Sequence, residues 1–117
     1  MMKIIDNIAV INSAEIVIKD VQSALDFMAT IFYDTGCTKI VINKSAVIEE
    51  FFDLKTKLAG DILQKFINYN TKIAIYGDYT MYTSKALRDF IYESNNGNDI
   101  FFVADEDNAI DKLKAVD

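Results

Sequence analysis

The chain contains no histidine, no proline and no tryptophan, and one cysteine, Cys37. Without histidine, an imidazole general base, a Cys–His dyad and a Ser–His–Asp triad are excluded, because each depends on a group that exchanges protons near neutral pH. Zinc sites built from cysteine and histidine are excluded for want of donors. A lone cysteine cannot close an intrachain disulfide. Glycine is scarce, at Gly36, Gly60, Gly77 and Gly97 only, so no glycine-rich loop is present to wrap a phosphate in backbone N–H groups. Basic charge is also short. Twelve Lys and Arg stand against eighteen Asp and Glu, for a net charge of -6 and a pI near 4.5. Such a chain repels phosphate backbones and carries no offsetting basic run, so neither nucleic acid nor an anionic membrane surface is expected as a partner. No apolar run approaches the roughly 20 residues of a membrane span. The opening Met1-Met2-Lys3-Ile4-Ile5-Asp6 lacks the charged, apolar and cleavage regions of a secretion signal. With the single cysteine, these points lead to the expectation of a cytoplasmic protein.

What is present reads as one folded α/β domain over residues 1–117. Hydrophobic residues make up 51% and charged residues 26% of 117 positions, a balance that supports one core. Met2–Ile5 and Ile8–Ile11 read as strands, and Glu15–Ile18 is a further β segment whose standing as a separate strand is left open; the turn residues Asp6-Asn7 and Asn12-Ser13 lie between them. Asp20 is placed to cap a helix over Val21–Tyr33, with Val21, Ala24, Leu25, Met28 and Phe32 at helical spacing and Gly36 at its end. Ile40-Val41-Ile42 is the continuous β-branched run of a strand covered on both faces.

A long helix is then predicted from about Glu49 to Tyr69, with Phe51, Leu54, Leu58, Ile62, Phe66 and Tyr69 on one face. Gly60 inside it costs about 1 kcal/mol relative to alanine, which predicts close packing of the helix backbone there. Lys72–Tyr76 reads as a strand, Thr83 or Ser84 as the cap of a helix through Glu93, and Asn95–Asn98 as a turn. Ile100–Val103 reads as the last strand and Asp105 as the cap of a final helix, Glu106–Lys114. The order β-β-α-β-α-β-α-β-α predicts a small mixed, mostly parallel sheet of four to five strands with right-handed crossovers and an antiparallel edge.

Several stretches carry a resemblance. These are Glu50–Thr56, Leu58–Phe66, Ala74–Tyr79, Tyr82–Leu87 and Phe90–Asn95. They resemble the bacterial family DUF4180, a domain of unknown function, over nearly the whole chain; Lys57 stands where that resemblance leads one to expect glycine. The element order is also similar to that of STAS domains, the anti-sigma-factor-antagonist-like fold. There a phosphorylatable Ser or Thr opens the helix after the central strand, which implies Ser45 or Thr56 here. The Asp-Ser-Ser-Gly signature of those domains is absent.

Ligands of open α/β sheets sit beyond the carboxyl ends of the parallel strands, which here present Asn43-Lys44-Ser45, Gly77-Asp78-Tyr79 and Ala104-Asp105-Glu106. Asn43, Glu49, Asp53, Asp78 and Asp105 offer oxygen donors suited to a divalent cation. Set against this, Asp105 reads as a helix cap and Asp78 as a turn residue. Glu49 and Asp53, four apart on a helix, form an acid–base pair or a solvated face. Ser45, Thr56 and Ser84 are hydroxyls at which a phosphate would add charge. Tyr79, Met81 and Tyr82 form either a partner-binding cluster or a lid folded on the core. Cys37 reads as an inert thiol.

No cofactor is implied. The leading expectation is a non-enzymatic regulatory or protein-interaction module. One alternative is a ligand- or metal-binding domain, or a small enzyme, using the strand-end carboxylates. The other is a structural homodimer joined through an edge strand or an apolar helix face.

Overall fold

Asp6 and Asn7 both have positive φ, 48° and 68°, in the computed structural model, which describes residues 2–117. Two consecutive residues of this kind make a type I′ turn, whose twist matches that of the strands it joins. They connect β1 (Met2–Ile5) to β2 (Ile8–Ile11) in antiparallel register, with Ile5 opposite Ile8 and Met2 opposite Ile11. β3 (Lys39–Asn43), β4 (Lys72–Tyr76) and β5 (Ile100–Val103) follow, each parallel to the strand before it. Spatial order equals sequence order, β1-β2-β3-β4-β5. The mixed, mostly parallel sheet with an antiparallel edge is the one predicted.

Sequential order fixes where the helices lie. The parallel connections step across the sheet in one direction, so right-handed crossovers put them on one face. That face carries α1 (Val21–Thr35), α2 (Leu58–Asn68) and α3 (Lys85–Asn95). Their Ala24, Met28, Ile62, Phe66 and Leu87 pack with Ile40, Ile42, Ile73, Ile75 and Phe102 in the larger core. α4 (Glu106–Lys114) returns across the opposite face, where Ala109, Ile110 and Leu113 cover Ile8, Val10, Val41, Ala74 and Phe101. Ile40, Val41 and Ile42 are each fully buried, as a strand with both faces covered requires.

Local signals set the helix ends. The Asp20 carboxylate accepts the Ser23 N–H, and Gly36 closes α1 at φ 73° with its N–H donating to the Phe32 carbonyl. Ser84 caps α3 and Asp105 caps α4. α1 runs two residues beyond Tyr33, and its inward residue in the last turns is Ile31; Phe32 is 59% exposed.

One open alternative is settled and two expectations are corrected. Glu15–Ile18 is not a strand of the sheet: Ile18 alone forms an isolated bridge, with Val47, while Ile16 is exposed. The helix expected from Glu49 is two short 3-10 turns, Glu49–Phe52 and Leu54–Thr56, followed by Lys57 at φ 63° and only then α2. A left-handed residue cannot continue the right-handed hydrogen-bond ladder, so the break falls at Lys57. α2 stops at Asn68, and Tyr69 is exposed rather than inward. Finally, a Cβ at Gly60 would meet nothing within 4 Å, so no neighbour packs closely against the backbone there.

Candidate functional site

β3 ends on Asn43, which is buried and fully occupied. Its Oδ1 accepts the Ser13 N–H at 2.9 Å, and its Nδ2 donates to the Ser13 carbonyl at 2.8 Å and to Ser45 Oγ at 2.6 Å. This side chain staples the β2–α1 connection to the end of β3 and satisfies a polar group that would otherwise cost free energy to bury.

The next residue organises the strand ends. The stem of Lys44 lies against Gly77, just past β4. Its ammonium stands 4.9 Å from the ring centres of Phe52 and Tyr82 and 6.0 Å from that of Tyr79. A cation over aromatic faces is worth about 0.5–2 kcal/mol, more as water is excluded, and the Lys44 side chain is only 14% exposed. Glu49 completes the arrangement, with Oε1 3.6 Å from the ammonium and Oε2 accepting the Tyr82 hydroxyl at 2.7 Å. Phe52 stacks on Tyr82 at 5.5 Å and packs against Tyr79 and Phe102. The Tyr79 hydroxyl donates back to the Ile75 carbonyl at 2.8 Å.

This environment sets the proton chemistry. Burial pushes the Tyr79 phenol well above its ordinary range, and the neighbouring Tyr82 adds to the shift. Burial also raises Tyr82, reinforced by its hydrogen bond to Glu49 and by the negative charge there. Neither phenol can serve as a base near neutral pH. Asp78 moves the other way: the Thr80 hydroxyl and N–H both donate to its Oδ1, and Lys44 adds a favourable charge, so the carboxylate stays ionised. Asp105 accepts from the N–H and the side chain of Asn108, as a helix cap does.

Around these groups opens a groove of about 1210 Å³. Asn43, Ser45, Asp78, Tyr79 and Asp105 line it, together with Lys44, Glu49 and Glu106. Tyr82 stands behind Lys44 as part of the aromatic stack. Asp53 and Thr56 are not in the groove lining but in the turn before α2. There Asp53 accepts the Lys55 N–H, and Thr56 Oγ1 donates to the carbonyls of Glu50 and Asp53. Glu49 and Asp53 therefore do not share a helical face. No group of three or more Asp, Glu, Cys or His among the described residues could hold a metal ion. Cys37 is buried as a free thiol.

Sequence reasoning placed Lys44 and Gly77 at the strand ends but gave neither a role, and it gave none to Phe52; these residues hold the arrangement together. Lys44 directly after a buried β-branched strand was the available signal. The contacts of Lys44 and Glu49 with Gly77, Tyr79 and Tyr82 join segments more than thirty residues apart, and no local pattern reports them.

The fold is that of an α/β domain with a STAS-like element order. The sequence model of DUF4180, a domain of unknown function, matches residues 5–113, and the chain belongs to that family. The crystal structure of a candidate anti-sigma factor antagonist from Thermotoga maritima has the same fold. It matches at 13% identity and a TM-score of 0.51, over 97% of this chain and 93% of that one. An NMR structure of the same protein matches at 12% identity and a TM-score of 0.49, over 97% and 87% of the two chains. No curated protein matches the sequence. No helix among the described residues is long and apolar enough to cross a membrane.

Proposed function

We propose that this chain is a non-enzymatic regulatory module, working in the cytoplasm through protein contacts, and that the groove at the carboxyl ends of β3, β4 and β5 receives the partner. The observation that carries this reading is the pair Ile16 and Met81. Both are apolar, 53% and 59% exposed, and both border the groove. They stand beside the rigid platform of Lys44, Phe52, Tyr79 and Tyr82. Exposed apolar side chains next to a packed aromatic base are the composition of an interface centre.

Catalysis has less support, because the titratable groups at the site are already committed. Glu49 is held by Tyr82 and Lys44, Asp78 by Thr80, and Asp105 by Asn108. The groove carries the carboxylates of Glu49, Asp78, Asp105 and Glu106 against the single ammonium of Lys44. It suits a peptide segment that combines apolar and cationic side chains. Of the two hydroxyls singled out by the STAS-like order, Ser45 lines the groove and Thr56 does not. A phosphate on Ser45 is the one that would alter the groove's charge. Fold similarity to a protein described as opposing another protein is consistent with this reading.

The test is affinity capture from the native host's lysate with the wild type and with an Ile16→Asp/Met81→Asp variant. Both side chains are exposed, so the variant's melting temperature should be unchanged. The expected result is a protein held by the wild type and bound at least about tenfold more weakly by the variant, a loss of ~1.4 kcal/mol. Equal capture of the same proteins by both would overturn the groove as the docking surface.

A further inference from the structure

The two edges of the sheet are not alike. On the outer side of β5, the Asn95 side chain acts as a short pseudo-strand. Its Oδ1 accepts the Phe102 N–H at 2.7 Å and its Nδ2 donates to the Phe102 carbonyl at 3.0 Å. The backbone groups that a neighbouring strand would need at Phe102 are already used. β1 ends the other side of the sheet, and among the described residues no backbone group pairs with its outer edge. Open edges of this kind invite another strand.

We infer that β1 pairs with β1 of a second copy, antiparallel and about a two-fold axis at Ile4. The hairpin fixes the register. In a two-residue turn the flanking residues, here Ile5 and Ile8, exchange both backbone hydrogen bonds. Lys3, two residues earlier, points its backbone groups the same way, so the N–H and C=O of Ile4 face outward. Two such Ile4 residues brought face to face exchange both bonds and form a hydrogen-bonded pair.

The alternative axis that respects the pleat lies at Lys3 and sets two ammonium groups opposite each other, which is unfavourable. With the axis at Ile4, Lys3 faces Ile5 of the second copy, and its ammonium remains with Glu106 on the α4 side, 3.1 Å away. The side chains agree with this arrangement. Met2 and Ile4 are 41% and 53% exposed, although Ala9 opposite Ile4 is fully buried in the larger core. A second copy's Met2 and Ile4 extend that core across the junction.

Symmetry says where assembly stops. A pairing of β1 with itself is isologous and closes at two copies, whereas β1 on β5 would propagate into a filament. Asn95 blocks the second route. The product is a dimer with one continuous ten-stranded sheet and a capped β5 at each end.

Sedimentation equilibrium over a wide range of protein concentration tests the inference. The wild type should pass from monomer to dimer mass. Ile4→Lys should weaken self-association at least about tenfold while leaving the circular dichroism spectrum unchanged, since the side chain is more than half exposed. In case the lysine variant folds poorly, Ile4→Cys gives an independent reading. A hydrogen-bonded antiparallel pair sets the two Cα atoms about 5.5 Å apart, within the span of a disulfide. Mild oxidation should link the Ile4→Cys chains and leave the wild type, whose Cys37 is buried, unlinked. A monomer mass at every concentration, a dimer indifferent to Ile4→Lys, or a dimer that Ile4→Cys does not link would each overturn the proposal.

Discussion

The stem of Lys44 occupies the space that a side chain at Gly77 would need: a Cβ at position 77 would stand 2.6 Å from Lys44 Cβ. Gly77 is therefore glycine for reasons of contact, and what it accommodates is the lysine that fills the aromatic cage. Gly77→Ala should cost about 1–3 kcal/mol by overpacking, read as a lower denaturant midpoint. The cost should depend on the lysine. In a Lys44→Gly background, which alone removes the Cβ, the three nearest contacts are gone, and the double-mutant cycle should show a coupling of about 0.5–3 kcal/mol. Equal costs in both backgrounds would mean that the glycine serves some other purpose.

The cage also predicts how stability varies with pH. Tyr79 and Tyr82 ionise far less readily in the folded chain than at the ordinary 10.0. A group whose folded pKa is raised contributes stability that is complete below its unfolded pKa and is lost as pH rises beyond it. The folded state should therefore weaken above pH 10, and these phenols should ionise together with unfolding in an ultraviolet titration. Tyr82→Phe removes one such group and should flatten the alkaline decline, while losing about 1–2 kcal/mol at neutral pH with the bond to Glu49. The acid side runs oppositely. Asp20 and Asp78 are lowered from 3.8, chiefly by hydrogen bonds from Ser23 and Thr80. What they contribute is present above pH 3.8 and disappears as pH falls through their folded values.

Signals that act within a few residues were legible in the sequence, and those that act across the chain were not. Asp20, Gly36, Ser84 and Asp105 mark helix ends by chemistry local to each end, and the structure places them there. The break at Lys57 escaped for a definite reason. Phe51, Leu54 and Leu58 keep a spacing of three or four residues across it, because 3-10 turns and α-helices both bring such residues to one side. Hydrophobic periodicity carries no information on the sign of φ. Asn43 was legible as a strand-end residue. That its amide would be spent on Ser13, thirty residues away, depends on how the β2–α1 connection folds back, which no local pattern encodes. The same holds for Lys44, whose aromatic partners arrive from two other segments.

Asn95 is the last residue of α3 rather than part of the turn expected from its sequence, and it bears a load which that expectation conceals. Asn95→Ala removes both bonds to Phe102 and leaves a backbone N–H and C=O beside a buried residue without these partners. The expected cost is about 1–3 kcal/mol. The second consequence is specific to this residue: the β5 edge opens, so strand pairing no longer ends at two copies. Light scattering should show concentration-dependent growth beyond a dimer, and adding Ile4→Lys should suppress it. A variant that is destabilised yet never grows would show that Asn95 serves only stability.

Lys57 is the position where the family resemblance leads one to expect glycine, and its φ of 63° supplies the physical reason. An L-residue held in the left-handed region costs about 1–2 kcal/mol, which glycine avoids, at the expense of greater freedom in the unfolded chain, worth about 0.5–1 kcal/mol. No hydrogen bond from the Lys57 side chain caps α2, and the residue is exposed, so little else is lost on replacement. Lys57→Gly should therefore stabilise the fold by up to about 1 kcal/mol, seen as a higher denaturant midpoint with an unchanged slope. Lys57→Val, a β-branched side chain forced into the same conformation, should move it the other way. If glycine instead lowered the midpoint, the break between the 3-10 turns and α2 would owe its geometry to contacts of the lysine stem rather than to the backbone.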